Sequence, residues 1–446
     1  MKANSLQERT RELSRQGQPP AFREAFRFWL KLGFISFGGP SGQIAMMHAE
    51  LVEKKRWIDS ARFLHALNFC MLLPGPEAIQ LAIYIGWLWH RTWGGIAAGA
   101  LFVIPSIFIL WALSYIYVAF GHVAWIAAIF YGLKPAVLAI VAVAVIRIGT
   151  RALRKSTMWV IAGAAFIAIY FFRVPFPAII VTAGLLGLVG GKILPRYFSV
   201  AGDDVPGSAS SERDDVSAHM RQSLSRALKV CTTSILLWWF PIALAGIWLG
   251  TQHAIFREGI FFSKAAIVTF GGAYAVLPYV SQQAVENYHW LGAGQMLDGL
   301  GLAETTPGPL IMVLQFVGFL GAWNQPGNLP PLLAATLGAL ITTWATFVPC
   351  FLWIFLGAPY IEKLRENESL TSALSTVTAA VVGVILNLAV WFGLHVIFPI
   401  TGNIDWLAFT ICAIAFVGML RWKWNIVPVV FGSGLVGLFY TLAGFR

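Results

Sequence analysis

The residues Phe37-Gly38-Gly39, Trp57 and Pro74-Gly75-Pro76 return as Phe270-Gly271-Gly272, Trp290 and Pro307-Gly308-Pro309, each displaced by the same 233 positions. Lys31 falls on Lys264, Ser36 on Thr269 and Glu53 on Glu286 in that register, without a gap. The chain is an internal duplication, and its repeated element is an apolar stretch interrupted by glycine and proline. Proline removes a backbone donor and glycine weakens a helix, so each stretch reads as a helix broken near its middle. Broken apolar helices at corresponding positions of two halves mark a secondary transporter with its site at the repeat interface.

The chain has 446 residues, of which 58% are hydrophobic and only 11% charged, with a mean hydropathy of +0.72. A soluble chain carries about 25% charged residues, and runs of ~20 apolar residues suffice to span a bilayer. An all-α polytopic membrane protein is therefore expected. The first 20 residues are polar and lack an apolar h-region, so a cleavable signal peptide is not expected. Cys70, Cys231, Cys350 and Cys412 are scattered through apolar stretches and read as small hydrophobes, with neither a disulfide framework nor a zinc site. The net charge of +11 gathers at segment ends, where it sets topology. It is compatible with attraction of anions.

Apolar runs cover roughly 25–50, 62–89, 94–120, 124–148, 158–173 and 176–195, and again 258–284, 293–322, 332–357, 373–398, 404–420 and 424–443. Between the halves lie a polar stretch, 196–229, and one unpaired apolar run, 230–250. The organisation expected is an N-terminal repeat over 1–195, a flexible cytoplasmic linker over 196–229, a connecting helix over 230–250 and a C-terminal repeat over 251–446. Each half has six runs, so the single run between them turns the second half upside down: an inverted-topology repeat. Two arms of about 13 residues, at 1.5 Å each, reach ~20 Å into a bilayer. The FGG and PGP segments are thus expected as re-entrant hairpins. That arrangement gathers Lys54, Lys55, Arg56 and Arg62 on the same face as Lys2, Arg9, Arg11, Arg15 and Arg23, and with them Arg147, Arg151, Arg154, Lys155, the linker, Lys363, Arg365, Arg421 and Lys423. It leaves Arg173, Arg257 and Arg446 near the other face. Nine crossings with four hairpins are preferred to thirteen plain crossings.

Helix arms that begin after a Gly/Pro break present free amide N–H groups and the positive end of a dipole. Four such breaks converging near the midplane suit a compact anion with several acceptor oxygens. The candidate substrate residues are Ser36, Phe37, Gly38, Gly39, Pro74, Gly75, Pro76, Thr269, Gly271, Gly272, Thr305, Thr306, Pro307, Gly308 and Pro309, with Lys31, Lys134 and Lys264 supplying charge. Helix-packing glycine is the competing reading for any one break, and snorkelling is the competing reading for each lysine. Arg27 and Arg147, nearer segment ends, read as snorkelling side chains. Glu77 and Glu304 flank the two PGP breaks on opposite sides and could carry a proton or pair with Lys31, Lys134 or Lys264. Asp298, near a run end, reads as solvated. Gln43, Gln80 and Gln315 read mainly as interhelical polar contacts. His48, His65 and His289 make no metal-ligand spacing, so no metal or other cofactor is expected.

The stretches FISFGGPSGQIAMMHAELVEKKRWI and LLPGPEAIQLAIYIG, with the later TFGGAYAVLPYV and MLDGLGLAETTPGPLIMVLQFVGF, resemble the chromate ion transporter family in its long, two-domain form. The resemblance covers nearly the whole chain. It implies a bacterial inner-membrane protein that exports chromate and confers chromate resistance, with sulfate as the chemical look-alike. The expected partners are the oxyanion and the lipid bilayer; a second copy of the chain is compatible with the sequence, and nothing in it calls for nucleic acid.

The mechanism expected is alternating access around a midplane oxyanion site, driven by membrane potential, with proton coupling through Glu77 or Glu304 as an option. A proton-coupled importer of sulfate or another oxyanion remains the alternative. A divalent-cation exporter would need acids and histidines in register, whereas here the lysines are in register. An embedded acyltransferase or metalloprotease would need an HxxxxD or HExxH spacing, and neither occurs.

Overall fold

The computed structural model describes residues 19–198, 224–360, 368–398 and 403–444. The charges placed above at Lys2, Arg9, Arg11, Arg15, Lys363, Arg365 and Arg446, and linker residues 199–223, lie outside these. Every regular element among the described residues is helical. The first half comprises α1 (Phe22–Ile35), α2 (Gly39–His48, prolonged by a π-helical turn Ala49–Lys54), α3 (Ser60–Leu72), α4 (Glu77–Phe120), α5 (Ala124–Ala152), α6 (Ser156–Phe172) and α7 (Phe176–Ile193). A bridging helix, α8 (Leu224–Leu249), follows. The second half comprises α9 (Ala254–Val268), α10 (Ala273–Gln282, with the π-helical turn Gln283–Asn287), α11 (Ala293–Thr305), α12 (Val313–Asn324), α13 (Pro331–Gly357), α14 (Glu368–Ile397), α15 (Trp406–Arg421) and α16 (Ile426–Leu442). The bridging helix starts at Leu224 rather than at 230, so the end of the expected linker is already helical.

The breaks fall where the glycines are. Gly38 and Gly39 take φ of 91° and 66°, Gly271 and Gly272 take 81° and 90°, and Gly75 and Gly308 take 125° and 107°. Residues with a Cβ rarely adopt such angles. After each FGG the chain turns back along the arm it left. Phe28 on α1 meets Trp57 beyond α2 at a ring separation of 5.7 Å, and the equivalent Phe261 meets Trp290 at 5.6 Å. A straight continuation would hold either pair some 43 Å apart at 1.5 Å per residue. The two hairpins also close with the same hydrogen bonds, Trp57 N–H to Leu51 O and Trp290 N–H to Ala284 O. Both turns pass through a left-handed residue, Arg56 or His289. The duplication read from spacing is thus a duplication of backbone geometry.

The PGP arms fold back as well: Phe69 on α3 meets Tyr84 on α4 at 5.6 Å. The helix α4 is two antiparallel arms, because His90 and Arg91 leave helical geometry between them. Gly86 and Gly94 pack backbone to backbone across that turn, as small residues allow in membrane bundles. In the second half the same pair of arms is α12 and α13, joined by a longer loop.

Each half then supports the break of the other. Gly75 N–H donates to Thr269 O at 2.7 Å, and its counterpart Gly308 N–H donates to Ser36 O at 2.8 Å. The exposed carbonyls of the PGP turns are met by side chains: Gln80 reaches Pro74 O at 2.7 Å, Ser106 reaches Pro307 O at 2.6 Å, and Gln43 reaches Gly308 O. Irregular backbone inside a membrane protein survives where protein satisfies it. The glutamines at 43, 80 and 315 are accordingly polar contacts, Gln315 bonding Ile107 O at 2.8 Å.

Around this centre, α5 packs against α14, α15 and α16, while α14 covers α6 and α7 and α13 packs on α8, α9 and α12. Gly132 on α5 and Gly437 on α16 let those two backbones touch. Six described helices are long and apolar enough to cross a membrane. Their outward faces carry large apolar side chains such as Phe108, Leu185 and Trp248, the surface a lipid-embedded protein presents. The chain is a multi-pass membrane protein.

Candidate functional site

Three of the four broken helices open onto one cavity of about 360 Å³. Gly38 and Gly39 at the start of α2 line it on one side, and Gly271, Gly272 and Ala273 at the start of α10 line it on the other. Gly75 and Glu77, where α4 begins, complete the floor. The opening turns of helices carry amide N–H groups without intrahelical partners, so three positive helix ends face the same space. Glycine is required at this wall for closeness as well as for φ: a Cβ on Gly272 would stand 2.7 Å and 2.9 Å from the Glu77 carboxylate oxygens.

One end of the cavity is basic. Arg147 and Arg151 on α5, four residues apart and so on one helical face, line the wall, with Arg154 just beyond the end of the helix. Arg147 lies within electrostatic reach of both Tyr274 and Glu304. Tyr274, which also lines the cavity, donates its hydroxyl to Glu304 Oε1 at 2.6 Å. The lining therefore holds three arginines and one acid, Glu77, and it suits a small anion.

The expected residues divide sharply. Gly38, Gly39, Gly75, Gly271 and Gly272 come together at the cavity, with Glu77 among them. Ser36, Phe37, Pro74, Pro76 and Thr269 do not line it, although the Ser36, Thr269 and Pro74 carbonyls accept the bonds that hold the breaks. The second PGP does not reach the cavity: Pro307, Gly308 and Pro309 are buried against Gln43 and Ser106. The hydroxyls of Thr269, Thr305 and Thr306 bond carbonyls one turn back in their own helices, so they offer no donor to a ligand. Glu304 touches the cavity only through Tyr274.

The lysines are placed differently from the expectation. Lys31 and Lys264 project from exposed faces of α1 and α9, away from the cavity. Arg23 and Arg27 share the exposed face of Lys31, so the four-residue spacing of these cations was the available signal for its facing, although Phe34 on the same side is 53% exposed. Lys134 pairs with Asp298 at 3.5 Å, and Asp298 also accepts from Tyr117 at 2.9 Å. Asp298, expected to be solvated, is 3% exposed, since α11 carries it inward against α5. Neither glutamate pairs with a lysine. Arg147, expected to snorkel at a run end, is exposed and lines the cavity wall on α5, which continues to Ala152. The four-residue spacing of Arg147 and Arg151 was the available signal for this basic wall. Nothing local pointed to Tyr274.

Removing one member of the Lys134–Asp298 pair strands the other. Asp298→Leu alone is expected to cost about 1–3 kcal/mol, less than for a fully buried pair because Lys134 is partly exposed. Lys134→Met combined with Asp298→Leu is expected to recover most of that loss. Thermal unfolding of the purified single and double variants checks this, and a double variant no better than the single would sink it.

The family model described as "Chromate transporter" matches residues 23–188 and 257–438, one match in each half. The chain belongs to the chromate transporter family. Within that family it is 29% identical over 420 residues to the chromate transport protein of Cupriavidus metallidurans, covering 93% of this chain and 92% of that one. It is 30% identical over 424 residues to the chromate transport protein of Pseudomonas aeruginosa, covering 94% and 92%. An uncharacterized transporter of Methanocaldococcus jannaschii matches at 24% over 421 residues, 94% of each chain. No solved structure matches. This chromate transporter family member is thus of the long, two-domain form, and the two family matches take in both FGG and both PGP segments.

Proposed function

We propose that the chain exports chromate across the bacterial inner membrane by alternating access, and so confers chromate resistance. The observation that carries this reading is the cavity between the FGG segments of the two halves, with arginines at one end. The amides that open α2, α10 and α4 would hold the oxyanion, and Arg147 would supply charge in place of the three lysines. The four broken segments act as re-entrant hairpins in an inverted repeat, with the N-terminus and linker cytoplasmic. That topology puts the arginine end of the cavity on the cytoplasmic side, where an exported anion is collected.

Energetics favour export. One charge moving through 100 mV is worth ~2.3 kcal/mol, so a dianion gains about 4.6 kcal/mol on leaving a negative-inside cell. At about 1.4 kcal/mol per tenfold, that sustains a gradient of order a thousandfold. Proton coupling through Glu77, inside the cavity, or through Glu304 by way of Tyr274, is not needed for export. It becomes necessary for uptake, the alternative in which sulfate or another oxyanion is imported.

Chromate accumulation in inverted membrane vesicles separates these readings. Accumulation is expected to follow an imposed potential, persist without a pH gradient and be inhibited by sulfate. Accumulation that collapses with the pH gradient alone would replace potential-driven export with proton exchange. Absence of accumulation, with growth rescue of a sulfate-transport-deficient strain, would establish the import reading.

A further inference from the structure

Glu258 on α9 has no part in the cavity, and it is the most isolated acid among the described residues. Its side chain is 0% exposed, and both carboxyl oxygens lack a hydrogen-bond partner. Two glycines on neighbouring helices make the niche it occupies. A Cβ on Gly321 of α12 would stand 2.5 Å from Oε1, and one on Gly338 of α13 would stand 2.7 Å from Oε2. The Gly318 carbonyl oxygen lies 2.5 Å from that same Gly338 position, and Trp290 closes the side of the niche against Gly321. The Thr342 hydroxyl, one turn along α13 from Gly338, is also buried without a partner.

No counter-charge faces this group. The described part of α12 has no ionisable residue, and on α13 there is only Cys350, three turns from Gly338. On α9 itself Arg257 is exposed and bonds Gln252, and Lys264, six residues beyond Glu258, is exposed; just before the helix the His253 ring engages Ile255 N–H and Pro326 O. Beyond Trp290, His289 and Glu286 are exposed, and the Arg226 and Lys229 side chains of α8 sit at its opposite end. An ionised carboxylate sealed among apolar groups with no partner is not sustainable. The niche fits a neutral carboxylic acid whose proton can be shared with a backbone carbonyl.

We infer that Glu258 is a proton-binding site, separate from the substrate cavity, and that its protonated form seats α9 on the α12–α13 pair. Loss of the proton would create a charge that has to leave the niche, loosening α9 from those helices. The motion has a direct route to the cavity, because α9 runs from Glu258 to the Thr269–Gly272 break that forms its wall. That run is about 16 Å of continuous helix. The device is one-sided: the repeat equivalent of Glu258 is Ala25, an ordinary buried residue. The proton site stands independently of what is transported; its effect on the cavity wall rests on the transport reading.

Infrared difference spectroscopy of the purified protein in lipid, wild type against Glu258→Gln, reads the proton itself. The difference at neutral pH is expected to show the carbonyl stretch of a protonated carboxylic acid; an ionised-carboxylate band instead would overturn the inference. In vesicles, Glu258→Gln is expected to keep uptake at saturating chromate and to lose the dependence of rate on the pH of the face opposite the cavity. A pH profile identical to wild type would overturn the coupling. If the glutamine variant does not accumulate, Glu258→Asp should retain the acid band and shift the pH at which it vanishes; an unshifted titration counts against the site. An acid band in a protein that moves no oxyanion would refute the transport reading while upholding the proton site.

Discussion

Alanine at Gly308 is expected to abolish chromate transport and to lower the yield of folded protein. The position combines two demands that a Cβ cannot meet. Its φ is +107°, and an added Cβ would collide with the Ser106 hydroxyl, which is held in place by its bond to Pro307 O. Backbone strain of this kind costs of order 1–3 kcal/mol, and overpacking a filled interior costs about as much again. The loss propagates to the other half, because Gly308 N–H supports Ser36 O at the first break. Gly75→Ala should behave alike: φ is +125°, and its Cβ would meet Gln80 Nε2 at 2.7 Å and Cys350 at 3.2 Å. By contrast, Gly163→Ala, on an open face of α6, should leave transport unchanged. Vesicle uptake normalised to folded protein checks all three, and a Gly308→Ala variant with wild-type rates would show that the crossed hydrogen bonds do not hold the breaks.

Arg147→Gln is expected to raise the half-saturating chromate concentration about 10- to 100-fold. A hydrogen bond to a charged group is worth about 1.5–3 kcal/mol, and each 1.4 kcal/mol is tenfold. Glutamine keeps a donor at that position and removes the charge, so the change reports charge more than shape. Arg151→Gln in the last turn of α5 and Arg154→Gln just beyond it should act differently. They should slow uptake at low substrate and flatten its dependence on ionic strength, as expected for residues that draw anions toward an opening. Initial uptake rates at two salt concentrations distinguish the roles. An unchanged half-saturating concentration in Arg147→Gln would remove the arginine from the binding site.

The misplacements differ in how far the chain could have warned of them. On α1, Arg23, Arg27 and Lys31 recur every four residues and mark its exposed face, whereas on α9 the apolar residues lie on both sides and the facing is hidden. Lys31 and Lys264 keep perfect repeat register and still point outward. Asp298 reads as solvated by its distance from a run end, yet its surroundings are set by Lys134 and Tyr117, from two helices far away in the chain. Glu258 passes unnoticed for the same reason: its niche is made by Gly321 and Gly338, which mean nothing until the two helices stand side by side. The Phe28–Trp57 closure shows the intermediate case. Its tryptophan stands out in the repeat, while its phenylalanine is one of many.

That the chain is duplicated, helical and membrane-embedded is already legible in its residues. So is where its helices break, because Gly and Pro act on the backbone locally and keep their spacing in both copies. The same FGG and PGP segments carry the family. Which breaks share a cavity, which cations reach it and which acid is left alone emerge only once the helices are packed. Those outcomes depend on how the two halves interlock, Gly75 on Thr269 and Gly308 on Ser36, and no local pattern encodes the contact of residues more than 190 positions apart.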